Sequence, residues 1–214
     1  MPILNDIYEA IIKGDIANIR RLTAEMLEQG SSAEDILRDG LIKGMDTVGE
    51  RMQTEEMFIP EVLLSAKCMR ESVEVLKPHL GAESVGVAGK VVIGTVKGDL
   101  HDIGKNLVAM MLESAGFSVT DLGVDVAPEA FVKGVKDYKA DIAALSALLT
   151  TTMPMIRETI EAFVKSGSRS DLKIMVGGAP LSREFAMKIG ADGFAIDGGS
   201  AVKVAKELME KKSS

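Results

Sequence analysis

From Lys90 onward, short β-rich apolar runs alternate with helix-patterned segments, and few folds accept that alternation. Val91 to Val96, Ser118 to Leu122, Asp141 to Ser146, Lys173 to Val176 and the weaker run Gly193 to Ile196 read as strands. Gly104 to Ala115, Pro128 to Tyr138, Met153 to Lys165, Ser182 to Ile189 and Ser200 to Glu210 read as helices, and Pro128 suits a first turn. Strands alternating with helices imply right-handed crossovers and a parallel sheet covered on both faces. Five such units predict a flavodoxin-like (Rossmann-like) α/β domain with a five-stranded parallel sheet. Ligands of such sheets bind beyond the carboxyl ends of the strands.

The segment before it has a helical texture. Ile3, Leu4, Ile7, Ile11 and Ile12 share one face, and Ile16, Ile19, Leu22, Met26 and Leu27 repeat the pattern up to Gly30. Ser32 with Asp35 opens a third stripe that runs through Leu41, Met45 and Met52. A fourth spans about Glu55 to Leu76, where Pro60 is tolerable only in a first turn. Four helices with short connections predict a four-helix bundle. The expected division is a bundle over 1–80, a Gly- and Ser-containing linker over 81–89 and an α/β domain over 90–214.

Charge narrows the function classes. The net charge is −7 and no dense Lys/Arg block occurs, which argues against nucleic-acid or membrane-surface binding. No apolar run reaches membrane-spanning length, and the Met-Pro-Ile-Leu-Asn start lacks a signal peptide's regions, so a cytoplasmic protein is expected. Cys68 is the single cysteine, which excludes intrachain disulfides and paired-cysteine chemistry.

The polar residues then fall into register. Asp99, His101 and Gly104 follow the first strand; Ser146, Leu148, Thr150 and Thr152 follow the third; Gly177 and Gly178 follow the fourth; Asp197, Gly198 and Gly199 follow the fifth. All lie at carboxyl edges, on loops expected to converge. One of the two histidines, His101, sits two residues after a carboxylate, a spacing that lets Asp99 hold one imidazole nitrogen while the other points outward. By itself this stretch also reads as a solvated strand-to-helix loop. The other histidine, His79, reads as a surface residue. Gly177-Gly178 reads either as a plain turn or as a place of close backbone approach, and Thr152 also suits a helix cap.

No GxGxxG or GxxxxGK[ST] follows a strand, so neither dinucleotide nor triphosphate cradles are supported. A hydrolytic metal site would want further histidines. One histidine as the sole protein ligand makes sense for a metal whose other positions a macrocycle fills. Asp99-x-His101-x-x-Gly104, Ser146-x-Leu148 and Gly177-Gly178, in this order and spacing, resemble the cobalamin-binding signature DxHxxG…SxL…GG. The helical segment, through Val48-Gly49-Glu50-Arg51 and Phe58-Ile59-Pro60-Glu61, is similar to the cap of methionine synthase and of small corrinoid proteins of methyltransferase systems.

That resemblance implies a cobalamin or related corrinoid as cofactor, cycling between methylcobalamin and cob(I)alamin. His101 would be the lower cobalt ligand in place of the cofactor's own base, with Asp99 holding its tautomer and Thr152 completing a relay. The loop Gly98, Asp99, Leu100, His101, Asp102, Ile103 and Gly104 would form one wall of the cofactor site, Asp102 shaping it. The displaced nucleotide tail would pass Ser146, Leu148, Thr150, Gly177, Gly178 and Gly198. Met52, Ile59 and Val62 of the cap would lie over the upper face; methionine synthase has an aromatic where this chain has Met52. The implied function is a methyl carrier, not catalytic alone. It would be loaded by a substrate:corrinoid methyltransferase, unloaded by an acceptor methyltransferase using tetrahydrofolate or coenzyme M, and rescued by a reductive activase. A monomer is expected. The competing readings are a cobalamin-dependent sensor and the small subunit of an adenosylcobalamin mutase.

Overall fold

A computed structural model describes residues 2–80 and 88–213. Of the linker expected over 81–89, residues 81–87 lie outside those described. The chain divides into two compact units, an N-terminal helical one and an α/β one that begins at Ala88.

The helical unit is built from α1 (Pro2–Lys13), α2 (Ile16–Glu28), α3 (Ala33–Asp35), α4 (Lys43–Gln53) and α5 (Ile59–Leu76). Asp15 caps α2 by accepting from Asn18 N–H, and Ser32 caps α3 by accepting from Asp35 N–H at 3.1 Å. A π-helical stretch, Ile36–Ile42, joins α3 to α4 without a break, so the third predicted helix is one continuous rod with a widened middle. The fourth begins at Ile59 rather than near Glu55, because Glu55 is left-handed at φ 61° and Pro60 needs the first turn. Ile7 and Ile11 of α1, Ile19 of α2, Val48 of α4 and Val62 of α5 are fully buried, as the helical spacing requires. Thr23 of α2 and Ser72 of α5, both buried, place their hydroxyls 3.0 Å apart and satisfy each other inside this core.

The second unit holds strands β1 (Lys90–Thr95), β2 (Ser118–Asp121), β3 (Ile142–Ser146), β4 (Lys173–Gly177) and β5 (Gly193–Ala195). They form one parallel sheet in the order β2-β1-β3-β4-β5. Helices α6 (Ile103–Ser114), α7 (Pro128–Tyr138), α8 (Met153–Lys165), α9 (Arg183–Lys188) and α10 (Gly198–Ser213) provide the crossovers and the close. Alternate strand residues serve two faces. Val92, Ala143, Leu145, Ile174 and Val176 join Phe131, Ile156 and Phe163 of α7 and α8 in one core. Val91, Ile93, Ala144 and Met175, equally buried, point the other way. Burial on both faces explains why the strands read as continuous apolar runs. The sheet order reverses direction between β1 and β3, and that crevice is where such sheets bind ligands.

Candidate functional site

β1 and β3 pair side by side, with Thr95 opposite Ser146, so the loops that leave them meet at the crevice. The Asp99 side chain is the node of that meeting and is fully buried. Its Oδ1 lies 2.7 Å from His101 Nδ1 and accepts from His101 N–H at 3.1 Å. Its Oδ2 accepts from Leu148 N–H at 2.7 Å, from Leu149 N–H at 3.3 Å and from the Thr152 hydroxyl at 2.7 Å. The Thr152 hydroxyl also lies 2.9 Å from the Leu149 carbonyl, so one hydrogen serves two acceptors. Thr152 therefore spends its hydroxyl on Asp99, not on capping α8, where it makes no side-chain cap bond.

Burial alone would raise the Asp99 pKa. The bonds from Leu148 N–H, the His101 ring, the Thr152 hydroxyl and His101 N–H outweigh it and hold the carboxyl well below the usual carboxylate range. An ionised carboxylate only accepts, so Nδ1 carries the imidazole hydrogen and Nε2 is the nitrogen left for a ligand. The His101 side chain is 50% exposed, and its backbone is fixed by the Thr95 hydroxyl, which donates to the His101 carbonyl at 2.8 Å. A depressed folded-state pKa adds stability that is complete above the ordinary value of 3.8 and is lost as pH falls toward the folded value. Urea unfolding of the ligand-free protein and of Asp99→Asn should therefore show a stability gap that is widest near neutrality and shrinks below about pH 4.

Around this node the remaining predicted residues separate into kinds. Leu100, Ile103 and Leu148 are exposed, as are Val124, Leu149 and Ile196, and all six follow carboxyl ends of strands. Thr150 is exposed on the β3 loop. Asp102 accepts from Asn106 N–H through its carbonyl at 2.7 Å and from the Asn106 amide at 3.2 Å, which makes it a shaper of the entry to α6. A Cβ on Gly104 would meet nothing within 4 Å, so this position opens onto free space.

Three glycines expected along a tail path behave otherwise. A Cβ on Gly177 would stand 2.8 Å from the Ala195 carbonyl oxygen, and one on Gly178 1.9 Å from that of Ala147. Gly198 opens α10, and its missing Cβ is replaced by Met111 and Leu107 of α6. Neighbouring strands and helices need these glycines, whatever else passes them.

In the helical unit Ile59 is exposed and Met52 half-buried. Val62, which the resemblance would lay over the upper face of the cofactor, has no exposed surface: it continues the buried stripe of Ala66 and Met69, one turn apart on α5. The exposed apolar residues there are Phe58, Ile59, Leu63 and Leu64. His79 is exposed at the end of the 3-10 turn Lys77–His79, as a surface reading expects.

Sequence reasoning missed Thr95, Leu149, Lys105 and Asp125. Lys105 is buried and pairs with Asp121 at the end of β2, with its ammonium 2.7 Å from the Asn106 side-chain oxygen. A lysine followed by asparagine in an otherwise apolar helix start was the available signal.

The arrangement pairs one half-exposed imidazole with exposed apolar side chains. It offers one imidazole Nε2 and an apolar surround, and among the described residues no three His, Cys, Asp or Glu side chains gather to hold a bare ion. That donor set fits a macrocycle-held metal. Comparison with known proteins agrees. B12 binding domain models match residues 89–206 and, separately, residues 3–77. A corrinoid protein of Desulfitobacterium hafniense (strain Y51) is 38% identical over 214 residues, covering 99% of each chain. Dimethylamine corrinoid protein 1 of Methanosarcina mazei is 41% identical over 214 residues, covering 98% of this chain and 97% of that one. The methanol:cobalamin methyltransferase complex of Methanosarcina barkeri contains a chain that superposes with a TM-score of 0.86 at 29% identity, covering 98% of this chain and 80% of that one. With both units matched and relatives aligned from end to end, the chain belongs to the B12-binding domain family and, within it, to the small corrinoid proteins of methyltransferase systems.

Proposed function

We propose that this protein is a methyl carrier that holds a corrinoid with the cofactor's own base displaced and His101 as the lower ligand. One observation carries the reading: a half-exposed imidazole at the crevice whose Nδ1 is locked by a buried, five-fold hydrogen-bonded carboxylate. The corrin, when bound, supplies the cobalt chemistry that accepts and releases the methyl group. This chain's residues supply the rest. Asp99 fixes the tautomer that presents Nε2, and Thr152 and the Leu148 amide keep Asp99 in place. Leu100, Ile103 and Leu148, all exposed, would give a bound corrin apolar contact.

Relatives named for dimethylamine and the methanol:cobalamin methyltransferase complex support a loading methyltransferase as partner. An acceptor methyltransferase and a reductive activase complete the proposed cycle, with the carrier a cytoplasmic monomer that docks transiently. None of the described helices is long and apolar enough to cross a membrane. The test is reconstitution with hydroxocobalamin, reduction, and methylation by a panel of methylamine and methanol methyltransferases. A reconstituted protein that no panel member methylates would count against the carrier role.

Gly104 gives a second, two-sided expectation. Alanine there meets open space and suits a helix better than glycine, so the ligand-free protein should gain about 0.5–1 kcal/mol. Hydroxocobalamin binding should weaken at the same time, because a Cβ would occupy open space that the proposed cofactor would need. Thermal unfolding and a cofactor titration read the two effects, and unchanged affinity would remove Gly104 from the site.

A further inference from the structure

A second carboxylate, Asp125, grips the His101 loop from outside and touches neither the ring nor the Asp99 carboxylate. It lies in the loop that leaves β2, with φ 54°, a left-handed conformation uncommon for a non-glycine residue. Such a backbone persists where its surroundings over-determine it. Here the contacts are reciprocal. The Asp125 carboxylate accepts from Gly98 N–H at 2.7 Å, and Asp125 N–H donates to the Asp99 carbonyl at 3.0 Å. Thr95 N–H to the Gly123 carbonyl and Val126 N–H to the Thr95 carbonyl, both 3.0 Å, tie the same loop to the end of β1. Gly98 is itself left-handed at φ 81°, so the β1 loop turns at the residue that Asp125 holds.

We propose that Asp125 is a positioning residue for His101, acting through the backbone of Gly98 and Asp99. The Asp99 carboxylate is held by Leu148, Leu149 and Thr152, and Asp125 holds the Asp99 backbone. Only with both held does Oδ1 meet Nδ1 in one orientation, and only then is Nε2 aimed in one direction. Gly98 and Asp125 are exposed, so water competes for their bond, and its value lies in direction more than in stability.

This rests on the reading of His101 as the cobalt ligand, and the experiment separates the two. In the full chain, Asp125→Gly keeps the left-handed backbone without strain and removes the acceptor, whereas Asp125→Asn keeps a side-chain carbonyl and tolerates the same φ. Each is titrated with hydroxocobalamin, and the reduced cob(II) form is examined by electron paramagnetic resonance for splitting by a protein nitrogen. Asp125→Gly should bind about tenfold more weakly, with a diminished nitrogen-ligated fraction, while Asp125→Asn stays within about twofold of the parent. In the ligand-free protein, Gly98 amide exchange should quicken in Asp125→Gly alone. Parent-like affinity and ligation in Asp125→Gly overturn the role of Asp125 only. A parent protein that binds hydroxocobalamin with no nitrogen splitting overturns the His101 assignment and this inference together.

Discussion

His101→Ala is expected to bind hydroxocobalamin at least about a hundredfold more weakly than the parent, and any bound cob(II) form should lack splitting by a protein nitrogen. The magnitude follows from the neighbouring shell: removing a partner that only orients a metal ligand costs roughly 10–100-fold, so removing the ligand should exceed that. The fold should be largely indifferent. The ring is half exposed and among the described residues bonds only to Asp99, whose carboxylate retains its backbone amides and Thr152. Asp99→Asn should fall between the two proteins, because an amide can present its nitrogen to Nδ1 and favour the wrong tautomer. Added imidazole should restore part of the lost affinity of His101→Ala by filling the vacated space. Parent-like spectrum and affinity in His101→Ala would end the ligand assignment.

The second large effect is expected without any cofactor. Gly178→Ala should destabilise the ligand-free protein by about 3 kcal/mol or more, a size reserved for strained backbones and severe clashes. The added Cβ would stand 1.9 Å from the Ala147 carbonyl oxygen and 2.9 Å from its carbon, at a φ of 129° that side chains rarely adopt. The obstacle is backbone of the β3 loop, which cannot swing aside as a side chain would. Denaturant unfolding reads the effect directly, and a ligand-free variant as stable as the parent would show that the loop yields. The contrast with Gly104→Ala is informative. One glycine serves the protein's own strand packing, the other opens onto space that a ligand can use.

What could be read along the chain was whatever depends on near neighbours. Helical spacing in the first 76 residues, apolar strand runs from Lys90 and the strand-to-helix loop after the first of them all act over a few residues, and the elements appear where those patterns place them. The pairing of Asp99 with His101 belongs to the same class, since only Leu100 separates the two residues along one loop. The element that departs most, the π-helical Ile36–Ile42, still presents Ile36, Leu37 and Leu41 to the interior, which is why the apolar stripe did not announce it.

Other features needed the fold. Val62 and Ile59 sit three residues apart on one helix, yet one is buried and the other exposed; which face of α5 meets the other helices is settled by packing, not by either residue. Leu149 and Asp125 carry no motif, and they join the site only because parallel pairing lays β3 and β2 on either side of β1. The sequence alone determined the alternation of strands and helices, the carboxyl-edge position of the polar residues and the local Asp99–His101 couple. Only the tertiary structure decided that amides and a hydroxyl some fifty residues away would close on Asp99, and that Gly177 and Gly178 answer to neighbouring backbone. The reason is physical: spacing encodes which face a residue takes on its own element, whereas hydrogen-bond partners across a sheet depend on strand order and register, which no single segment contains.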